Sequence, residues 1–491
     1  MNAFLMLLTL AGYFGLLLVV SRCVGRKADN DTFFRGNRSS PWYLVAFGMI
    51  GASLSGVSFV SVPGMVNVVG MTYLQMCMGF FFGYLVVAYV LLPLYYRLGL
   101  TSIYSYLDTR FGSRSYRTGA AFFLLSKTTG AAARLYLTCL ILQRFVFDAL
   151  GIPYVGTVLV TLLLVWLYTH RGGIRALVWT DSFQTFILLF AVCALLVVTV
   201  RTLGLTFGEA WQAVVQSPYS KIFEWDDWTS KQYFWKQFLS GVFIVVVMTG
   251  LDQDMMQKNL TCRNLKDAQK DMCVYGFCFL PVNALFLGLG ILLYLLSVQV
   301  GQTPPLGGDD LLPVLTAQGY LGQGVIVLFT IGIVAAAFSS VDSALTALTT
   351  TFCIDILGIE RWNYPAEKAV RIRRGVHLAF IGFFVCFTLL FKALNSTSVI
   401  DVIYVLASYT YGPLLGLFAF GLFSTRMPRD RYVPFVALAV PVFCYLLDGW
   451  TFRCFGYRFG YELLMFNGLL TALGLYALSA GRSARACGRI R

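Results

Sequence analysis

A few charged and hydroxyl side chains stand inside strongly apolar stretches, and their types suit the handling of a small cation together with a small solute. Asp181 lies in Gly172-Gly173-Ile174-Arg175-Ala176-Leu177-Val178-Trp179-Thr180-Asp181-Ser182-Phe183-Gln184, about two turns into an apolar run. A carboxylate at such depth is costly and marks an ion pathway or a buried partner. Lys127 and Arg134 are seven residues apart and so share one helical face. Arg134, between Gly130-Ala131-Ala132-Ala133 and Leu135-Tyr136, offers a planar fork that can receive a solute carboxylate through two bonds. Its structural alternative is an ion pair with Asp181, Asp342 or Asp252. Lys127 reads as a snorkelling or paired residue. In Ala335-Ala336-Ala337-Phe338-Ser339-Ser340-Val341-Asp342-Ser343, helical spacing puts Ala336, Ser339, Ser340 and Ser343 on one face. Their hydroxyls and any freed carbonyls would form a neutral oxygen cage suited to Na⁺, the alternative being serine bonding between helices.

Two apolar stretches are interrupted at mid-depth. The first reads Gly48-Met49-Ile50-Gly51-Ala52-Ser53-Leu54-Ser55-Gly56-Val57-Ser58-Phe59 and continues to Pro63-Gly64. The second, five apolar stretches later, reads Met248-Thr249-Gly250-Leu251-Asp252-Gln253-Asp254. Unwound backbone at membrane depth is tolerated only where protein buries it or where it lines a cavity. A pair of interrupted helices in corresponding positions of two halves points to the binding site of a secondary transporter.

The elements that must position these residues are membrane helices. Of the 491 residues 58% are apolar and only 12% charged, with a mean hydropathy of +0.74. Soluble chains carry about 25% charged residues, so a soluble enzyme is excluded. Thirteen apolar spans are expected near 3–20, 43–69, 72–96, 118–142, 152–169, 174–200, 237–256, 273–297, 322–350, 375–394, 399–424, 432–449 and 461–480, making an all-α polytopic membrane protein. The net charge of +14 invites a nucleic-acid reading, which the distribution of charge excludes. Segments 22–38, 97–117, 171–175, 258–270, 361–374, 426–431 and 482–491, all on one side of the membrane, hold 27 of the 37 Lys and Arg residues. The opposite 298–321 loop has none and carries Asp309 and Asp310. The positive-inside rule then puts the N-terminus outside and the C-terminus in the cytoplasm of a plasma (inner) membrane protein. The first span lacks a basic leader and a small-residue cleavage site, so it is expected to be retained. Twelve scattered Cys read as small buried hydrophobes. The 201–236 loop, with Trp211, Trp225, Trp228 and Trp235, suits an outer interface belt or lid.

At these residues the chain resembles the sodium/solute symporters, the family that includes carriers of proline, sugars and sialic acid. The resemblance covers spans 2 to 11 and rests on the GASLSG…PG break, GGIRALVWTDSFQ, GLDQDMMQKNL and AAAFSSVDSALTAL. It implies the leucine-transporter-type fold, an inverted repeat of two five-helix halves. The halves would occupy 42–200 and 237–424, with 1–41 before them, 201–236 between them and 425–491 after them, in a single transport domain over 1–491. It also implies a shared Na⁺ site of backbone carbonyls from Gly51, Leu54 and Ala336 with the hydroxyls of Ser339 and Ser340. A second Na⁺ site, found in some members, would use Asp181 with Ser343. Solute-facing positions would be Ser53, Ser55 and Ser58, Gln75, and Asp252 and Gln253. Arg134 matches the arginine that receives the carboxylate in sialic acid carriers. Asp252 departs from the asparagine of sugar carriers, and Asp342 is an extra acid that either tunes sodium affinity or pairs with Lys127.

The expected function is Na⁺-driven import of a small organic solute by alternating access, preferably an organic acid such as sialic acid. One or two sodium ions and no organic cofactor are expected, in a monomer or weak oligomer without nucleic acid. A neutral sugar, polyol or amino acid is the alternative within that class. A membrane-embedded enzyme would need a nucleophile, metal or acid–base pair. The only histidines, His170 and His377, fall at cytoplasmic span ends, and neither H-E-x-x-H nor G-x-S-x-G occurs. A sensor built on the transporter fold would carry a signalling domain, whereas the tail is expected to run only about eleven residues past span 13.

Overall fold

Apolar runs of membrane-spanning length become helices because a backbone in hydrocarbon must satisfy its own N–H and C=O groups. A computed structural model describes residues 3–24, 30–301, 308–359, 365–394 and 399–479. The basic residues Arg26, Lys27, Arg361, Arg482, Arg485, Arg489 and Arg491 lie outside the described residues.

The helices run in the order α1 (Ala3–Val24), α2 (Trp42–Ser53 with Gly56–Val69), α3 (Tyr73–Leu98), α4 (Ser113–Leu150), α5 (Tyr154–Thr169), α6 (Gly173–Thr202) and α7 (Phe234–Gly250 with Gln253–Asn259). They continue with α8 (Leu265–Gln299), α9 (Gln323–Ile356), α10 (Glu367–Ala393), α11 (Ile403–Thr410 with Gly412–Phe423), α12 (Val433–Phe455) and α13 (Leu463–Ala477). Eight are long and apolar enough to cross a membrane unaided, and three bent pairs bring the number to eleven if each is one span. With the shorter apolar helices α5 and α13, a helix or bent helix pair occupies each of the thirteen expected segments. Helix α9 is the most enclosed span, and the α5–α6 pair packs against it and against α2.

The breaks have local causes. In α2 the chain leaves the helix at Leu54 (φ −80°, ψ 83°) and restarts after the extended Ser55, bending by 58°. Leu54 N–H still reaches Ile50, but Ser55 N–H turns to the Ser53 carbonyl, so the Gly51 carbonyl loses its i+4 donor. In α7 a π-turn at Val246–Gly250 leads into Asp252, whose extended backbone and carboxylate cap the second half. Asp252 Oδ1 accepts the N–H groups of Asp254 (2.9 Å) and Met255 (3.4 Å), and the helix bends by 69°. A third bend, of 44°, falls at Tyr411, just before Gly412-Pro413. Proline there removes one helical donor and crowds the carbonyl four residues earlier. Between α5 and α6 the chain turns at Gly173 (φ 52°), where a side chain would collide with the Phe33 backbone.

Candidate functional site

The three bends converge on one cavity of ≈ 930 Å³, its open mouth included. Helix α2 contributes Ser53, Ser55 and Ser58, α3 contributes Phe80 and Tyr84, and α4 contributes Ser126, Lys127 and Arg134. Thr249 and Asp252 come from α7, Tyr275 and Phe279 from α8, and Tyr404 and Tyr411 from α11. The freed loops thus place hydroxyls and charges on the wall, while aromatic rings supply the apolar part. Ser53 Oγ bonds to the Tyr275 hydroxyl, which also accepts from Tyr84 OH at 2.8 Å.

Five charged groups extend inward from this wall. Lys127 Nζ lies 3.0 Å from Asp252 Oδ2 and 2.7 Å from Asp254 Oδ2. Tyr411 OH donates to Asp252 Oδ2 at 2.6 Å. Asp252 therefore faces the cavity already bonded to a lysine and a tyrosine. One turn further along α7, Lys258 Nζ sits 3.8 Å from Asp254 Oδ1 and 2.8 Å from Asp181 Oδ2. All five residues, Asp252, Lys127, Asp254, Lys258 and Asp181, are buried. Arg134, by contrast, is half-buried, lines the cavity and forms no ion pair within 4 Å among the described residues.

Beside the α2 break lies a set of neutral oxygens. Ser340 Oγ is 3.2 Å from the Ala52 carbonyl and 3.2 Å from the Ala336 carbonyl, so it bridges α2 and α9. Gly51 and Leu54 flank Ala52, each with a carbonyl outside regular helix bonding. Gly51 has no room for a side chain because Thr185 of α6 occupies that space. Carbonyls and hydroxyls without a carboxylate suit a weakly held hard monovalent cation such as Na⁺, and this donor set fits that ion. Ser339 Oγ turns instead to Asp181 Oδ1 (2.8 Å), and Ser343 Oγ stands 3.3 Å from both Asp181 Oδ2 and Asp342 Oδ1. Ser339 thus connects the neutral cage to the carboxylate next to it.

Of the expected solute-facing residues, Ser53, Ser55, Ser58, Arg134 and Asp252 line the cavity. Gln75 and Gln253 do not. Gln75 binds the loop between α6 and α7, donating to the Gln232 carbonyl (2.9 Å) and accepting Glu224 N–H (3.1 Å). In that loop Lys221, then the Asp226 amide, hold the Glu224 carboxyl below the usual range. Gln253 faces the basic-loop side, donating to the Thr101 carbonyl (2.8 Å) and accepting Ile103 N–H (3.0 Å). As first residue of the α7 second half it points away from the wall that its neighbour Asp252 faces. Asp342 does not reach Lys127; Tyr168 OH (2.8 Å) and Ser343 N–H (2.6 Å) hold it. Arg134 pairs with none of the three acids proposed for it. Lys258, expected among the cytoplasmic anchors, is instead 1% exposed, because the second half of α7 tucks back into the protein.

The residues that sequence reasoning missed are Asp254, Lys258 and Tyr411. Asp254 and Lys258 carry an i,i+4 spacing of opposite charges, which was legible in DQDMMQK. Tyr411 announces itself only through the Gly-Pro that follows it.

A family model described as the sodium:solute symporter family matches residues 33–430. The sodium-dependent multivitamin transporter of Oryctolagus cuniculus is 26% identical over 427 residues, which is 84% of this chain and 65% of that protein. The chain thus spans slightly less than two thirds of the length of that relative. The sodium/sialic acid symporter NanT of Aliivibrio fischeri is 25% identical over 484 residues, covering 95% of this chain and 92% of that one. Among solved structures, a substrate-bound, outward-open Na⁺-coupled sialic acid symporter superposes with a TM-score of 0.81 over 96% of this chain and 97% of that one, at 21% identity.

Proposed function

We propose, from the premise that the chain belongs to the sodium:solute symporter family, that it imports a small organic anion together with Na⁺ by alternating access. The observation that carries this reading is Arg134. It is the one cation on the cavity wall without a carboxylate at ion-pair distance among the described residues, since Lys127 is spent on Asp252 and Asp254. An anionic group entering the cavity would therefore meet a free planar fork, worth most where water is excluded. The serine and tyrosine hydroxyls around it suit a polyhydroxylated acid, and the likeness to sialic acid symporters supports sialic acid as the preferred member.

In this reading Na⁺ is held by the carbonyls of Gly51, Leu54 and Ala336 with the hydroxyls of Ser339 and Ser340. A second Na⁺ is held at Asp181 and Ser343. The bends in α2 and α7 mark equivalent points of two five-helix halves, 42–200 and 237–424, joined by the outer 201–236 loop. The basic loops face the cytoplasm of the plasma membrane, which puts the N-terminus outside. The same hydroxyl-rich wall is the observation that favours the second reading, a neutral sugar or polyol.

Purified wild type and Arg134→Ala, screened by thermal shift against sialic acid, monocarboxylates and neutral hexoses with and without Na⁺, separate the two. Acids should raise the melting temperature of wild type only in Na⁺, and Arg134→Ala should lose that response. An unchanged acid response in Arg134→Ala would end the anion reading, and a Na⁺-dependent hexose response would install the second.

A further inference from the structure

The Asp181 carboxylate already has a cation. Lys258 Nζ is 2.8 Å from its Oδ2, and the whole lysine side chain is buried. The ammonium has a second place to go. Asp254 Oδ1, one turn back on the same helix, lies 3.8 Å away, is buried and has no hydrogen-bond partner. Lys258 Nζ likewise lacks a well-directed hydrogen bond although it stands in ion-pair range of both acids. A movement of about an ångström would bring it into hydrogen-bond distance of Asp254.

We propose that Lys258 is a tethered cation that competes with Na⁺ for Asp181. The inference rests on the reading of Asp181 as a cation site. When Na⁺ settles at Asp181 and Ser343, the ammonium is driven onto Asp254. Asp254 is the carboxylate that Lys127 also holds, at 2.7 Å through Oδ2. Shared between two ammoniums, Asp254 binds Lys127 less tightly, and Lys127 shifts its weight to Asp252, 3.0 Å away on the cavity wall. Asp252 is in turn held by Tyr411 at the third bend. Ion binding at Asp181 is thereby felt at the solute cavity through one unbroken run of charges, with Lys258 as the element that has two positions. Coupling of this kind needs such a two-position element, and spatial continuity alone would not supply it.

Two substitutions move Na⁺ binding in opposite directions. Lys258→Met removes the competitor while keeping chain length, so Asp181 is left to Na⁺ alone. Asp254→Asn removes the landing place and makes displacement of the ammonium unfavourable. Binding of ²²Na⁺ to purified protein, together with the Na⁺-dependent shift in melting temperature, reads both without transport. The half-saturating Na⁺ concentration is expected to fall at least tenfold in Lys258→Met, to rise at least tenfold in Asp254→Asn, and to lose the gain in Lys258→Met/Asp181→Asn. Should Lys258→Met fail to fold, Asp254→Asn with Lys258→Gln carries the test. If Asp181→Asn weakens Na⁺ binding but neither Lys258→Met nor Asp254→Asn alters it, the competition is overturned and Asp181 stands as a cation site. If no variant and no wild-type preparation responds to Na⁺, the sodium reading fails with it.

Discussion

Lys127 answers two carboxylates at once, so its loss would leave Asp252 without a cation and Asp254 with only the more distant Lys258, both buried beside the cavity. Breaking a buried pair by removing one partner costs about 3–5 kcal/mol. Lys127→Met should therefore lower the melting temperature markedly, and Lys127→Met/Asp254→Asn should recover part of the loss by discharging one of the two acids. Tyr411 acts on the same acid through a single charge-assisted bond. Such bonds are worth about 1.5–3 kcal/mol, so Tyr411→Phe should leave the fold intact and weaken solute binding about tenfold or more, read by isothermal titration in Na⁺. Among single residues, Asp181 and Arg134 were legible in the sequence because charge is so rare within apolar runs. The spacing of Lys258 from Asp254 was legible too, but its burial was not, since it follows the apolar part of α7 and has the look of a loop lysine. Nothing in hydropathy says that seven residues after a break turn inward and become buried.

At the scale of elements, the breaks in α2 and α7 were legible because glycine, serine and aspartate clusters have no place in an uninterrupted membrane helix. The bend in α11 was hidden, since proline in membrane helices is common and Tyr411-Gly412-Pro413 contains no charge. The inward face of each half-helix also had to wait for the structure. Asp252 and Gln253 are adjacent, yet one faces the cavity and the other fastens α7 to residues 101–103. Two substitutions at the α2 break should have separable signatures. Gly51→Ala forces a methyl group into the space of Thr185 and should lower the yield of folded protein, with Thr185→Ala restoring part of it. Ser340→Ala removes only the hydroxyl that faces the Ala52 and Ala336 carbonyls. It should fold normally while raising the half-saturating Na⁺ concentration at least tenfold, measured by thermal shift with choline as the control cation.

For the whole molecule, the number of ions decides how much work the fold can do on an anion. Each Na⁺ entering gains about 2.3 kcal/mol per 100 mV and about 1.4 kcal/mol from a tenfold gradient. An entering monoanion gives back about 2.3 kcal/mol at the same potential. One Na⁺ therefore leaves about 1.4 kcal/mol, a tenfold accumulation that is insensitive to voltage, because the net charge moved is zero. Two Na⁺ leave about 5 kcal/mol, a few thousandfold, and carry one positive charge inward. On the proposed reading, the neutral oxygen cage at Ser340 and the carboxylate of Asp181 would provide for two ions, with Lys258 competing for the second. Wild-type protein in proteoliposomes should accordingly accumulate its anion more strongly as a potassium diffusion potential, negative inside, is imposed. Asp181→Asn removes the carboxylate that Lys258 holds and that the proposed second Na⁺ would use, so its residual uptake should become indifferent to that potential and its plateau should fall toward tenfold. Voltage-independent uptake by the wild type would limit the chain to one sodium ion per anion, and would leave Asp181 as the permanent partner of Lys258.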